Sequence, residues 1–132
     1  MEYIRYSYNS YNKRGKYNTR SIGEEGEYRV INHLVDLGYR ILYHSFNLSH
    51  KAEIDILSYN TDTLVVTEVK TLKSSNWEIS DISKWVNKRK KDKIRETTTY
   101  FIAKSVIPYA NVRFDVAFVT NKTIFYYKGV SF

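Results

Sequence analysis

Asp55, Glu68 and Lys70 are of the types that can hydrolyse a phosphodiester: two carboxylates to hold a divalent cation and a lysine to steady an attacking water. Around them, Glu53-Ile54-Asp55-Ile56-Leu57 alternates in polarity and Thr63 to Thr71 reads TLVVTEVKT. Two short strands joined by a polar Tyr59-Asn60-Thr61-Asp62 turn are therefore predicted. Side chains two apart on a strand share a face, so Glu68 and Lys70 point one way and Val69 the other. If Asp55 lies on that face, the three converge. The plain alternative is a solvated hairpin face on which Glu68 and Lys70 pair with cross-strand neighbours.

Two carboxylates about 4 Å apart repel by roughly 4 kcal/mol at an effective dielectric of about 20, so clustering them without a cation is unfavourable. Carboxylate oxygens are hard ligands suited to Mg²⁺ or Mn²⁺. The chain has no cysteine, which excludes disulfides, iron–sulfur clusters and thiolate zinc sites. His33, His44 and His50 do not form a metal-binding spacing, and no Gly-rich phosphate loop or Ser-His-Asp arrangement is present.

The chain of 132 residues fits one domain, and its formal charge of +7 favours a polyanionic partner. No apolar run approaches the roughly 18 residues of a membrane span and the N-terminus shows no apolar signal core, so the expectation is a cytoplasmic protein without membrane association. Residues 1–20 are rich in Tyr, Asn and basic side chains and nearly lack aliphatic ones, so they read as an arm; residues 21–132 read as the domain. Tyrosines interleaved with Arg5, Lys13, Arg14 and Lys16 suit base stacking and phosphate neutralisation, or equally a solvated extension.

The elements that must position the site follow from periodicity. Ser21 and Glu24 have capping-box spacing, and Ile22, Ile31, Leu34, Val35 and Gly38 describe an amphipathic helix. Glu27 lies one turn before Ile31, near the apolar stripe, where a lone carboxylate needs a partner; stabilisation of the helix N-terminus is the rival role. Tyr39 to Phe46 has strand composition. A second helix is predicted from about Asp81 to Lys104 through Ile82, Trp85, Val86, Ile94, Phe101 and Ile102. Its middle carries Lys84, Lys88, Arg89, Lys90, Lys91, Lys93 and Arg95, relieved only by Asp92 before Glu96. Stepping by fours from Val86 to Ile94 passes through Lys90, which puts that lysine on the inward stripe; a snorkelling surface position is the alternative. Val112 to Thr120 and Thr123 to Lys128 read as two final strands, with Asp115 expected to make a structural salt bridge with Arg113 or a loop rather than to bind metal. Trp77 and Trp85 are expected to pack, Trp77 also at the rim of the site.

The order of a helix with glutamate, a strand, an Asp-bearing strand, a Glu-x-Lys strand and a basic helix resembles the PD-(D/E)XK nuclease superfamily. More narrowly it resembles the uncharacterised bacterial YraN family, similar to archaeal Holliday-junction resolvases. The landmarks are Gly23-Glu24-Glu25-Gly26-Glu27, Gly38-Tyr39, Glu53-Ile54-Asp55, Glu68-Val69-Lys70, Lys90-Lys91-Asp92-Lys93-Ile94 and Arg113-Phe114-Asp115-Val116. The resemblance implies an α/β, restriction-endonuclease-like core with a mixed sheet of about five strands flanked by helices, in the order α-β-β-β-α-β-β. It assigns Asp55 and Glu68 to the metal, Lys70 to the attacking water and Glu27 to the helix carboxylate of resolvase-like members. Two departures stand out: Ala52 replaces the usual glycine, and Leu72 stands where an arginine is frequent, with Lys73 beside it.

The functional expectation is a Mg²⁺- or Mn²⁺-dependent endonuclease acting on DNA rather than RNA, including branched or structured DNA. Lys73, Lys84, Lys88, Arg89, Lys90, Lys91 and Lys93 would supply phosphate contacts. A two-fold branched substrate would need a homodimer, for which Tyr126, Tyr127 and Phe132 offer aromatic surface. The alternatives are a catalytically inactive nucleic-acid-binding module on the same fold, and an adaptor for acidic proteins.

Overall fold

The unbroken apolar run Leu64-Val65-Val66 puts apolar side chains on both faces of a strand and so requires cover on both sides, which the computed structural model supplies. It describes residues 22–46, 54–72, 88–105, 108–121 and 123–130. The elements are α1 (Ile22–Asp36), β1 (Arg40–Phe46), β2 (Ile54–Asn60), β3 (Thr63–Thr71), α2 (Lys88–Lys104), β4 (Asn111–Val119) and β5 (Ile124–Tyr127). The five strands form one sheet in the order β1-β2-β3-β4-β5. The β3–β4 pair is parallel and the other pairs antiparallel. A parallel neighbour needs a crossover, and α2 lies within it. The fold is α/β with the expected order of elements. Among the described residues no helix is long and apolar enough to cross a membrane.

Val65 packs with Ile56, Ala117 and Val119 against Val30, Ile31 and Leu34 of α1. Leu64 and Val66 instead pack with Leu57 against Ile94 and Phe101 of α2. The two apolar sets alternate along β3, so the helices cover opposite faces. Thr97 and Thr98 are buried on α2 at no loss of hydrogen bonds, because their hydroxyls donate to the Lys93 and Ile94 carbonyls at 3.0 and 2.8 Å. Helix α1 ends in a Schellman motif. Gly38 takes φ +94°, its N–H donates to the Val35 carbonyl, and the Tyr39 N–H donates to the Leu34 carbonyl, each at 2.9 Å.

Two local features depart from the sequence expectation. Tyr59 and Asn60 belong to β2, pairing with Leu64 and Thr63, so the turn is only Thr61-Asp62, with Thr61 at φ +59°. The turn is fastened from outside: the Asp62 carbonyl accepts from Ala110 and Asn111 at 2.7 and 3.3 Å, tying the hairpin tip to the start of β4. In β1 the register against β2 shifts between Ile41 and Tyr43. This bulge inverts the alternation, so Leu42 and Tyr43 pack with the α2 cluster while Ile41 packs with α1.

Asp115 is fully buried and its two oxygens take four hydrogen bonds. Arg113 donates through Nε and an Nη, both at 2.9 Å; the Tyr126 hydroxyl donates at 2.5 Å and the Gly129 N–H at 3.0 Å. Arg113 also donates to the Tyr39 hydroxyl, and Thr67 Oγ1 to the Tyr126 hydroxyl. The Arg113–Asp115 pair is thus the centre of a network joining β3, β4 and β5 to Tyr39, in the turn between α1 and β1. It removes Tyr126 from the aromatic surface proposed for dimerisation, and Tyr127 packs edge-on against Phe118. Neither tyrosine is exposed; on β5 that position falls to Phe125. Phe132 lies outside the described residues. Asp115→Ala would strand the Arg113 guanidinium beside a cavity, so a loss of about 3–5 kcal/mol in urea unfolding is expected, against a small loss for the exposed Asp62→Ala.

Candidate active site

Backbone pairing between β2 and β3 runs from Asn60↔Thr63 to Ile56↔Thr67. One step further, the side chains take over. The Asp55 N–H donates to Glu68 Oε2 at 3.3 Å, and Asp55 Oδ2 accepts from the Val69 N–H at 2.8 Å. Each carboxylate is thereby fixed to the other strand's backbone, and the two are brought together as the sequence suggested. Glu68 is only 4% exposed, so it is not part of a solvated Glu-x-Lys face.

The electrostatics follow from that burial. Loss of water, and secondarily the negative charge of Asp55, push the Glu68 carboxyl up to about 8 from an ordinary 4.5; Lys90 pulls in the other direction. Glu68 Oε1 is buried without a hydrogen bond and lies 3.5 Å from Lys90 Nζ. The inward phase of Lys90 is therefore real at its tip, although its side chain is 48% exposed. Lys70 is exposed, two residues beyond Glu68 on the same face of β3.

Glu27 has its own partners. His44 Nε2 donates to Glu27 Oε1 at 2.6 Å and Ser45 Oγ donates to the same oxygen at 3.5 Å, while the Tyr28 ring covers His44 at 4.7 Å between centroids. The helix can come this close to the strands because residue 26 is glycine: a Cβ there would collide with Thr71 Oγ1 and touch Val119. His44 pairs in register with Ile56 and Phe46 with Ile54, which sets Ser45 opposite Asp55. Ser45 adopts φ +58°, a left-handed conformation that costs a serine energy. Glu27, Ser45, Asp55 and Glu68 thus follow one another across α1, β1, β2 and β3. Sequence reasoning missed His44 and Ser45, because the β1 bulge turns His44 to the α1 face against simple alternation.

Lys88, Arg89 and Lys90 are exposed and Lys91 and Lys93 half-buried on α2. Lys88 pairs with Asp92 at 2.9 Å, and Arg95 with the same carboxylate at 3.3 Å. Lys73, Lys84, His50, Trp77, Trp85 and the arm of residues 1–20 lie outside the described residues. Among the described residues no group of three or more His, Asp or Glu side chains is assembled for a metal. Any cation here would rest on the two carboxylates and complete its shell with water and substrate oxygens, a division of ligands typical of Mg²⁺.

Comparison with known proteins bears on this geometry. The family described as "Uncharacterised protein family UPF0102" matches residues 26–119. The chain belongs to the UPF0102 family. It is similar to a UPF0102 protein of Persephonella marina, 34% identical over 107 residues that cover 81% of this chain and 90% of that protein. A UPF0102 protein of Thermodesulfovibrio yellowstonii is 34% identical over 103 residues, 78% of this chain and 88% of its own. One from Clostridium acetobutylicum is 39% identical over 98 residues, covering 74% and 77% respectively. The UPF0102 match spans Glu27, His44, Asp55, Glu68, Lys70 and Lys90, and ends with β4.

The raised Glu68 pKa has a definite sign in stability. Because burial and Asp55 raise the carboxyl's pKa in the folded UPF0102 chain, the stability contributed by this group is complete below the ordinary carboxylate range and is lost as pH rises through about 8. Thermal melts of metal-free protein are expected to show that decline. Glu68→Gln, which cannot ionise, should remove this group's contribution and melt higher than wild type at about pH 9. An unchanged pH profile in the variant would contradict the assignment.

Proposed function

We propose that this protein is a metal-dependent endonuclease that hydrolyses phosphodiester bonds in DNA. The observation that carries the reading is the buried Glu68 carboxylate held beside Asp55, an arrangement that gains most from a divalent cation. Resemblance of the ordered motifs to PD-(D/E)XK nucleases supports the same conclusion.

Asp55 and Glu68 would hold Mg²⁺ or Mn²⁺. The donor set fits: Glu68 Oε1 is a buried acceptor without a hydrogen bond, and hard carboxylate oxygens match a hard cation. When bound, the cation supplies charge neutralisation at the phosphate and acidifies a water. The Val69 N–H fixes one Asp55 oxygen and the Asp55 N–H one Glu68 oxygen, so the ligands are oriented in advance. Lys70 extends from the same strand face to orient the nucleophile, and Glu27 is steadied by His44 at the adjoining edge. Exposed cations of α2 would bind phosphates; phosphate contacts position a protein without reading bases, which suits recognition of DNA by shape, including branched DNA. Two-fold branched substrates would require two copies of the chain.

The ion pair with Lys90 favours a second reading, an inactive nucleic-acid-binding module in which the lysine permanently neutralises Glu68. That reading gives salt-sensitive binding without cleavage. Linear, single-stranded, flap and four-way DNA, and RNA, incubated with Mg²⁺ or Mn²⁺ decide between the two. Cleavage is expected, reduced on the order of a hundredfold or more in Asp55→Ala and in Lys70→Ala. Binding without cleavage of any substrate would leave the module, and cleavage unchanged in both variants would sink the assigned site.

A further inference from the structure

Lys90 is the one cation shown reaching the carboxylate pair from α2, and its surroundings are asymmetric. Its ammonium lies 3.5 Å from a nearly buried oxygen, yet its side chain is about half exposed and belongs to a helix whose neighbouring residues Lys88 and Arg89 face solvent. At 3.5 Å the contact is longer than a well-formed charge-assisted hydrogen bond, so it is an ion pair of loose geometry. A long, flexible lysine can leave such a contact at small cost, whereas the carboxylate cannot leave. Backbone hydrogen bonds hold Asp55 and Glu68 in place whether or not Lys90 is present.

We propose that the Lys90 ammonium stands in for the divalent cation in the metal-free protein and, once displaced from Glu68, becomes a phosphate contact of α2, so that cation and nucleic acid bind cooperatively. The inference rests on the reading of Asp55 and Glu68 as cation ligands. A divalent ion and an ammonium cannot both sit against the same oxygen without strong mutual repulsion. Metal entry therefore expels Lys90 from Glu68, and an ammonium on a half-exposed stem is within reach of a phosphate at the surface. By linkage the coupling is reciprocal: nucleic acid that captures Lys90 must raise metal affinity by the same factor. The competent site is thus assembled when both are present, and metal alone meets an internal competitor.

The test titrates Mn²⁺ alone into the full chain, read by electron paramagnetic resonance of free Mn²⁺. Lys90→Met is expected to bind about tenfold tighter than wild type, and Lys90→Arg, which keeps the charge, close to wild type. Arg89→Met removes one positive charge from the same exposed turn and is expected to change affinity by about twofold at most, since exposed charges are screened. Binding of a phosphorothioate-backbone DNA duplex, measured with and without Mn²⁺, is expected to strengthen with metal in wild type and markedly less in Lys90→Met. If Lys90→Met and Arg89→Met bind Mn²⁺ alike, or metal strengthens DNA binding equally in wild type and Lys90→Met, the placeholder role fails while the metal site stands. If wild type takes up no Mn²⁺ with or without DNA, the metal reading fails and the placeholder role with it.

Discussion

A carboxylate sealed from water beside a second carboxylate can lower its energy in two ways: it takes a proton, or it takes a cation. Glu68 is in that position, and the arrangement around it gives access to both. Burial and Asp55 favour the proton, which is why its carboxyl is pushed up to about 8; Lys90 favours the ionised form. The sheet cannot relieve the conflict by moving the groups apart, because Asp55 and Glu68 are hydrogen-bonded into the β2–β3 ladder at the point where backbone pairing gives way. An ordinary surface hairpin would turn these side chains toward water and lose nothing. Keeping Glu68 buried beside Asp55 is a standing cost that a proton or a positive charge lowers.

The rest of the fold holds that conflict in place. β3 runs between two strands and under two helices, and its apolar residues Leu64 to Val66 anchor both cores before the chain reaches Thr67 and Glu68. On the α1 face the buried acid is Asp115, and its charge is met by Arg113, Tyr126 and Gly129. Comparison of these two buried acids is instructive. Asp115 takes four hydrogen bonds, two of them from an arginine fork, the signature of a structural ion pair; Glu68 has one backbone donor, one lysine at 3.5 Å and an oxygen without a hydrogen bond. The first is satisfied within the fold, and the second is satisfied only in part.

Much of this was legible in the sequence, and the failures have local causes. The β2–β3 hairpin followed from alternation and from the polar turn, and strand parity put Glu68 and Lys70 on one face, with convergence conditional on Asp55 lying on it; the β2–β3 register meets that condition for Glu68. Lys90 was found by helical phase alone, since four-residue steps from one apolar position to the next pass through it. Tyr59 and Asn60 look like turn residues, yet pairing with Thr63 and Leu64 extends the strand and leaves a two-residue turn fastened by β4, a contact that no local pattern encodes. The partners of Glu27 were hidden by the β1 bulge: an extra residue between Ile41 and Tyr43 reverses which side chains face α1. Tyr126 reads as a C-terminal surface aromatic because its partner Asp115 lies on the neighbouring strand, and only the β4–β5 register brings them together.

The distribution of charge gives these local features a common direction. The chain carries seven net positive charges, and a dense run of them lies on α2, beside the site where two negative charges are concentrated. Coulomb attraction within the free protein therefore pulls at least one lysine inward, which weakens the surface that a polyanion would meet and occupies the site that a cation would enter. If a divalent ion took the carboxylates, it would displace the lysine from Glu68 and return that charge to the helix surface. Neither effect needs a change of fold: the strands and their hydrogen bonds stay as they are, and only one flexible side chain moves. On the proposed reading two ligands would be coupled through a single ion pair, because the anion that would bind one of them is the anion that restrains the residue needed by the other.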